Sequence, residues 1–192
     1  MKVLIACEYS GTVRDAFIAK GHDALSCDIL PTDQPGPHYQ GDVLDIIDDG
    51  WDLMIAHPPC TYLSNAGARF LYPKSILNQD RLELGLTAKE FFMTLYNSNI
   101  PKICIENPIP SKIFDLPAYT QIIQPYEHGH PVQKRTCLWL KGLPKITPTN
   151  IVNERQSSKI AGNWFNKGGK DRQKNRAKTF DGIAQAMVEQ WG

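Results

Sequence analysis

Short apolar runs alternate with amphipathic stretches along this chain. Residues 2–7 are apolar, the polar turn Glu8-Tyr9-Ser10-Gly11 follows, and over residues 13–20 Val13, Ala16, Phe17 and Ile18 recur at near-helical spacing. The pattern predicts strand, turn and helix. Gly21 closes that helix as a C-terminal glycine does, and residues 22–27 give a second strand ending at Asp28, completing a right-handed β-α-β unit. Residues 30–40 carry too many Pro and Gly residues for regular structure, and Gly41-Asp42-Val43-Leu44 resumes order as a third element. Residues 51–56 predict a fourth strand, residues 82–97 a helix with Leu82, Leu86, Phe91 and Leu95 toward the core, and residues 102–105 a fifth strand. This alternation predicts an α/β fold, a single domain built on a Rossmann-like, doubly wound, mostly parallel sheet.

Farther along, residues 116–124 predict a helical turn or short helix. Residues 136–140 are a β-rich run bounded by Gly142 and Pro144, a later strand for which antiparallel pairing is open. Residues 145–178 turn polar, with Lys159, Lys167, Lys170, Arg172, Lys174, Arg176 and Lys178 among Gly, Asn, Gln and Ser. This reads as a basic loop region. Helical spacing returns over residues 179–191 through Phe180, Ile183, Ala184, Met187 and Trp191, so a closing helix packs back on the sheet. The division expected is a core over 1–144, the basic region over 145–178 and the closing helix over 179–192.

Composition narrows the class of protein. At 192 residues the chain suits one domain with a substantial core, and 21 Lys+Arg against 20 Asp+Glu give no global pull toward nucleic acid or membrane. No apolar run approaches the roughly 20 residues that cross a bilayer, and the chain opens directly into a core strand, so a cytoplasmic address and no membrane partner are expected. The cysteines Cys7, Cys27, Cys60, Cys104 and Cys137 are odd in number and widely spaced, which favours reduced thiols over disulfides. His128-Gly129-His130 lacks the companions of a zinc site, so no structural metal is expected.

The chemistry gathers at strand ends. In an open parallel sheet, ligands bind beyond the carboxyl ends of the strands, which collects the Glu8–Gly11 turn, Asp28, Asp42, Cys60 and Glu106 on one edge. Gly11 opens the first helix, where free backbone N–H groups suit a cofactor. Asp28 fits ribose hydroxyls or an ordinary exposed turn; Asp42 suits an adenine amino group or a turn cap. Cys60 follows Pro58-Pro59, which end the strand and present the next side chain. As a nucleophile it must act as thiolate. Cys7, Cys27, Cys104 and Cys137 lie in apolar runs and read as core. Glu106 ends its strand in an apolar context, where a raised pKa would suit proton donation.

With these residues in place, the chain resembles the DNA (cytosine-5) methyltransferases, in the short form carried by phages and prophages. Pro59, Cys60 and Ser64 match that family's nucleophile motif, and Ile105, Glu106 and Asn107 its acid motif. Asp28 and Gly41-Asp42 match its acidic elements after the second and third strands. Gln133 and Arg135 match part of its Gln-x-Arg-x-Arg element, with Cys137 in place of the second arginine. The first turn lacks the family's glycines, and only 145–178 stands where the family has a large target-recognition region.

The resemblance implies a class I methyltransferase fold and S-adenosyl-L-methionine as cofactor, held by Glu8, Tyr9, Ser10, Gly11, Asp28, Asp42 and Pro58. It implies Cys60 and Glu106 as catalytic residues, with Pro59, Ser64, Asn107, Gln133 and Arg135 on the substrate. Cys60 would add to C6 of cytosine while Glu106 protonates N3, making C5 nucleophilic toward the methyl group; a base then removes the C5 proton and the thiolate leaves. The partner implied is DNA with a flipped or single-stranded cytosine, and the basic stretch with Trp164 and Phe165 suits phosphates and stacking. Two other readings stay open: methylation of a free pyrimidine nucleotide or another nucleic acid, and a non-catalytic cofactor- or nucleotide-binding phage protein.

Overall fold

The computed structural model describes residues 1–157 and 177–192. Lys159, Lys167, Lys170, Arg172, Lys174, Arg176, Trp164 and Phe165 lie outside the described residues.

Four parallel strands come first along the sheet: β1 (Lys2–Ala6), β2 (Asp23–Asp28), β3 (His38–Gln40) and β4 (Leu53–Ala56). They are joined by β5 (Lys102–Pro108), β6 (Gln121–Ile123) and β8 (Thr136–Lys141), while β7 (Val132–Gln133) pairs separately with β9 (Gln156–Ser157). The large sheet runs β3-β2-β1-β4-β5-β8-β6, with β8 antiparallel to both of its neighbours. This is the Rossmann-like, doubly wound, mostly parallel sheet predicted from the pattern. β1 and β4 are buried almost throughout because helices cover both faces of a parallel sheet.

Helix α1 (Thr12–Ala19) and the closing helix, here α4 (Asp181–Trp191), cover one face. Val13, Phe17, Ile183, Met187 and Trp191 pack there on Val3, Ile5 and Ile55. Short α2 (Asn65–Ala68) and long α3 (Gln79–Asn97) follow β4, and α3 covers the opposite face, where Phe92 and Leu95 meet Ile103, Ile105 and Trp139. Phe92 and Trp139 meet edge to face at 5.1 Å. Among the described residues, no helix is long and apolar enough to cross a membrane.

Several boundaries differ from the sequence pattern, each for a physical reason. The Pro/Gly-rich stretch ends in a real strand, β3, because residues 38–40 find a parallel partner in Ser26–Asp28. Residues 116–124 form no helix; Gln121–Ile123 pair with β8, and the Gln121 side chain donates to the Ile146 carbonyl and accepts from the Ile146 N–H, each at 2.8 Å. That clasp draws buried Ile146 out of the polar stretch into the core. On α3, Leu86 is exposed and Phe91 turns toward a cleft, while Phe92 takes the buried face. Lys178 forms an ion pair with Asp33 at 2.8 Å. Cys27, Cys104 and Cys137 are core thiols, but Cys7 lies just beyond β1, half-buried, with φ of 58°.

Candidate active site

The sheet order reverses direction between β1 and β4, and a cleft of about 700 Å³ opens there beyond the strand ends. Asp28 and Asp42 supply its acids, and Ile29, Leu30, Val43, Pro59 and Phe91 its apolar walls, with Cys7, Tyr9 and His57 completing the lining. Carboxylates beside apolar walls suit a nucleoside: a flat base against the hydrocarbon, hydroxyl and amino donors against the acids. Asp28 Oδ1 accepts from Leu30 N at 2.9 Å, and burial raises its pKa against the opposing pull of that N–H. Asp42 Oδ1 accepts from Leu44 N at 3.0 Å, so this residue caps a turn and also faces the cleft. Burial pushes Tyr9 up to about 12 and moves the Cys7 thiol well above its ordinary value, leaving both neutral.

The turn after β1 is built differently from the expectation of free helix N–H groups. Glu8 is buried and its carboxylate accepts from Val13 N at 2.8 Å, Arg14 N at 3.3 Å and Ser10 Oγ at 3.0 Å. Those donors are therefore taken by the chain's own carboxylate. Gly11, at φ of 76°, turns the chain into α1 over the fully buried Arg14 guanidinium. Arg14 in turn donates to Ser26 Oγ, Thr32 Oγ1 and the carbonyls of Gln34 and Pro35, organising the loop ahead of β3. Of the predicted cofactor residues, Tyr9, Asp28 and Asp42 line the cleft, whereas Glu8, Ser10, Gly11 and buried Pro58 do not. Pro59, expected on the substrate, lines the cleft instead.

Across the switch point, β4 and β5 pair in parallel up to Ala56 opposite Ile105, so His57 and Glu106 leave the shared ladder together. Their side chains meet at 3.2 Å, His57 Nδ1 to Glu106 Oε2, and are only 11% and 15% exposed. β5 itself continues through Glu106, Asn107 and Pro108 against β8, beyond the end expected at residue 105. Burial alone would lower the His57 pKa, but the hydrogen bond and charge of Glu106 outweigh it and hold it above its ordinary value. For Glu106, burial alone would raise the pKa; His57 and Lys134 overcome that and hold it below the ordinary value. This reverses the raised Glu106 pKa expected from the apolar context. His57 Nε2 and both amide atoms of buried Asn107 have no hydrogen-bond partner among the described residues.

Cys60 is half-buried at the start of the loop after β4. That loop is pinned to the segment after β5: Asn65 N donates to Ile109 O at 2.9 Å and Ser111 N to Leu63 O at 2.7 Å. The cysteine loop and the strand carrying Glu106 thus form one unit. Arg81 on α3 clamps the same loop, donating to the Thr61 and Gly67 carbonyls and lying over the Tyr62 ring. Ser64 is buried and its Oγ accepts from Gly67 N at 3.3 Å, capping α2. Gln133 and Arg135 are exposed outside the cleft, and it is Lys134 between them whose charge acts on His57 and Glu106.

His57, Arg14 and Lys134 belong to no motif in the sequence. The one signal for His57 is its position, first after an apolar strand and just before Pro58-Pro59, the register equivalent of Glu106.

No protein-family model and no curated protein matches the chain. Among solved structures it is similar to an E. coli prophage-encoded protein assigned as a DNA modification methyltransferase, at 16% identity and a TM-score of 0.45, over 78% of this chain and 51% of that one. It is similar to the Entamoeba histolytica methyltransferase EhMeth at 12% identity and a TM-score of 0.48, over 81% of this chain and 57% of that one. It is similar to the S. pombe Dnmt2 methyltransferase at 15% identity and a TM-score of 0.41, over 81% and 51% of the two chains. The chain spans little more than half the length of each.

Proposed function

We propose that this protein transfers a methyl group from S-adenosyl-L-methionine to C5 of a cytosine in DNA, through a covalent adduct with Cys60. One observation carries the reading: the cleft at the switch point, lined by carboxylates and apolar walls, shares the His57 and Pro59 segment with the loop that carries Cys60, and His57 is paired with Glu106. The residues of the cleft fit the cofactor. Asp28 suits its ribose hydroxyls, Asp42 its adenine amino group, and Ile29, Leu30, Val43 and Phe91 the faces of its base. When bound, the cofactor supplies a methyl group on a positively charged sulfur.

The chain's own residues do the rest. Cys60, as thiolate, adds to C6 of the pyrimidine, and the proton shared by His57 and Glu106 goes to N3, so that electron density collects at C5. Once C5 carries the methyl group, loss of the C5 proton to water and return of the N3 proton to the His57–Glu106 pair would restore the ring and expel the Cys60 thiolate. Because C5 and C6 are covered inside a stacked duplex, the cytosine must be flipped out or unpaired. The hydrogen bonds that join the loop carrying Cys60 to the segment after β5 support this reading, because they tie that loop to the strand that carries Glu106.

An oligonucleotide containing 5-fluorocytosine tests this reading. The fluorine cannot leave as a proton does, so the wild type with cofactor should form a denaturation-stable protein–DNA adduct. Cys60→Ala should form none. An adduct that survives in Cys60→Ala, or none from the wild type, contradicts it.

A further inference from the structure

His57 belongs to two places at once. Its ring lines the cleft, and its Nδ1 hydrogen-bonds Glu106, which does not line the cleft. Its Nε2 is buried without a partner among the described residues, an arrangement that costs free energy unless a ligand or a shifting proton makes use of it. Among the described residues, the charged groups acting on the ring are Glu106 from β5, Glu8 from the turn after β1, Asp28 from the end of β2, and Lys134 from the link between β7 and β8. Glu8 is saturated by the α1 N–H groups and Ser10, and Asp28 accepts from Leu30 N. Glu106 is the carboxylate hydrogen-bonded to the ring.

A coupled pair of this kind holds one proton between two groups, and its position depends on nearby charge. Positive charge entering the cleft disfavours a charged imidazole. We infer that His57 senses the charge of the cleft's occupant: a cation there drives the proton from His57 Nδ1 across the hydrogen bond to Glu106 Oε2. The N–H bond breaks and the O–H bond forms, leaving a neutral imidazole and a neutral carboxylic acid. Glu106 thereby becomes a proton donor when the cleft holds a cationic methyl donor, and returns to carboxylate when the uncharged product replaces it. This inference rests on the cofactor reading above and extends it to a residue outside the motifs.

Infrared difference spectroscopy on the full chain, with calorimetry on the same samples, tests it by comparing S-adenosylmethionine with its uncharged product S-adenosylhomocysteine. The expected result is binding of both ligands, with the carbonyl stretch of a protonated carboxyl appearing only for the cationic one. The band should be lost in Glu106→Gln and in His57→Gln. The wild-type comparison decides the matter even if a variant fails to fold. Binding of both ligands with no band, or with the same band for each, overturns the inference while leaving the cofactor reading intact. Absence of calorimetric binding by either ligand overturns the cofactor reading and this inference with it.

Discussion

Two glutamates, Glu8 buried and Glu106 partly so, stand in neighbouring regions of the sheet and have opposite fates. Glu8 follows β1 and is saturated by the N–H groups opening α1 and by the Ser10 hydroxyl. Glu106 lies on β5 just past the ladder with β4 and faces a titratable imidazole. A carboxylate that accepts from backbone donors at a helix start secures that helix. A carboxylate held by histidine shares a mobile proton and can serve chemistry. The partner, rather than burial or residue type, separates the two roles.

The largest break in this comparison is Glu106→Gln. On the proposed reading it removes the proton donor, and methyl transfer should fall about 10²–10⁴-fold in kcat while the protein remains folded by circular dichroism. Glu8→Ala should act on the other side of the comparison: buried helix N–H groups lose their acceptor, and stability measured by urea unfolding should drop by about 2–3 kcal/mol.

The pH dependence of stability sharpens the contrast further. The His57 pKa is raised, so its contribution is complete below the ordinary value of 6.5 and is lost as pH climbs through the folded value. The Glu106 pKa is lowered, so its contribution is complete above the ordinary value of 4.5 and is lost as pH falls through the folded value. The pair therefore stabilises most between these values, and thermal melts of wild type against Glu106→Gln should differ most in that window. Arg135→Ala should have the smallest effect: the residue is exposed, and stability should change by no more than about 0.5 kcal/mol. On the proposed reading, a rise in KM for DNA in that variant then reports lost substrate grip and not lost stability.

Local patterning made the sheet legible. Continuous apolar runs marked β1 and β4, Gly11 and Gly21 bracketed α1, and the spacing of Ile183, Met187 and Trp191 marked the closing helix. Elements that depend on a distant partner were not legible. β3 needs β2 to make a strand of His38–Gln40, and Ile122-Ile123 become β6 only because β8 returns beside them. The same division holds in the site. Asp28 ends a strand, and Cys60 follows one, that the sequence marks by itself. His57 gains meaning only from the β4–β5 register, and Arg14 only from a loop that folds back over it. Ser64, singled out by its spacing from Cys60, caps α2.

Transfer of labelled methyl groups from S-adenosylmethionine to unmethylated DNA, single- and double-stranded, by the wild type and Cys60→Ala tests the central claim most directly. The account predicts label on cytosine with the wild type and none with the mutant. Undiminished transfer by Cys60→Ala, or no transfer by the wild type to either form of DNA, would contradict it.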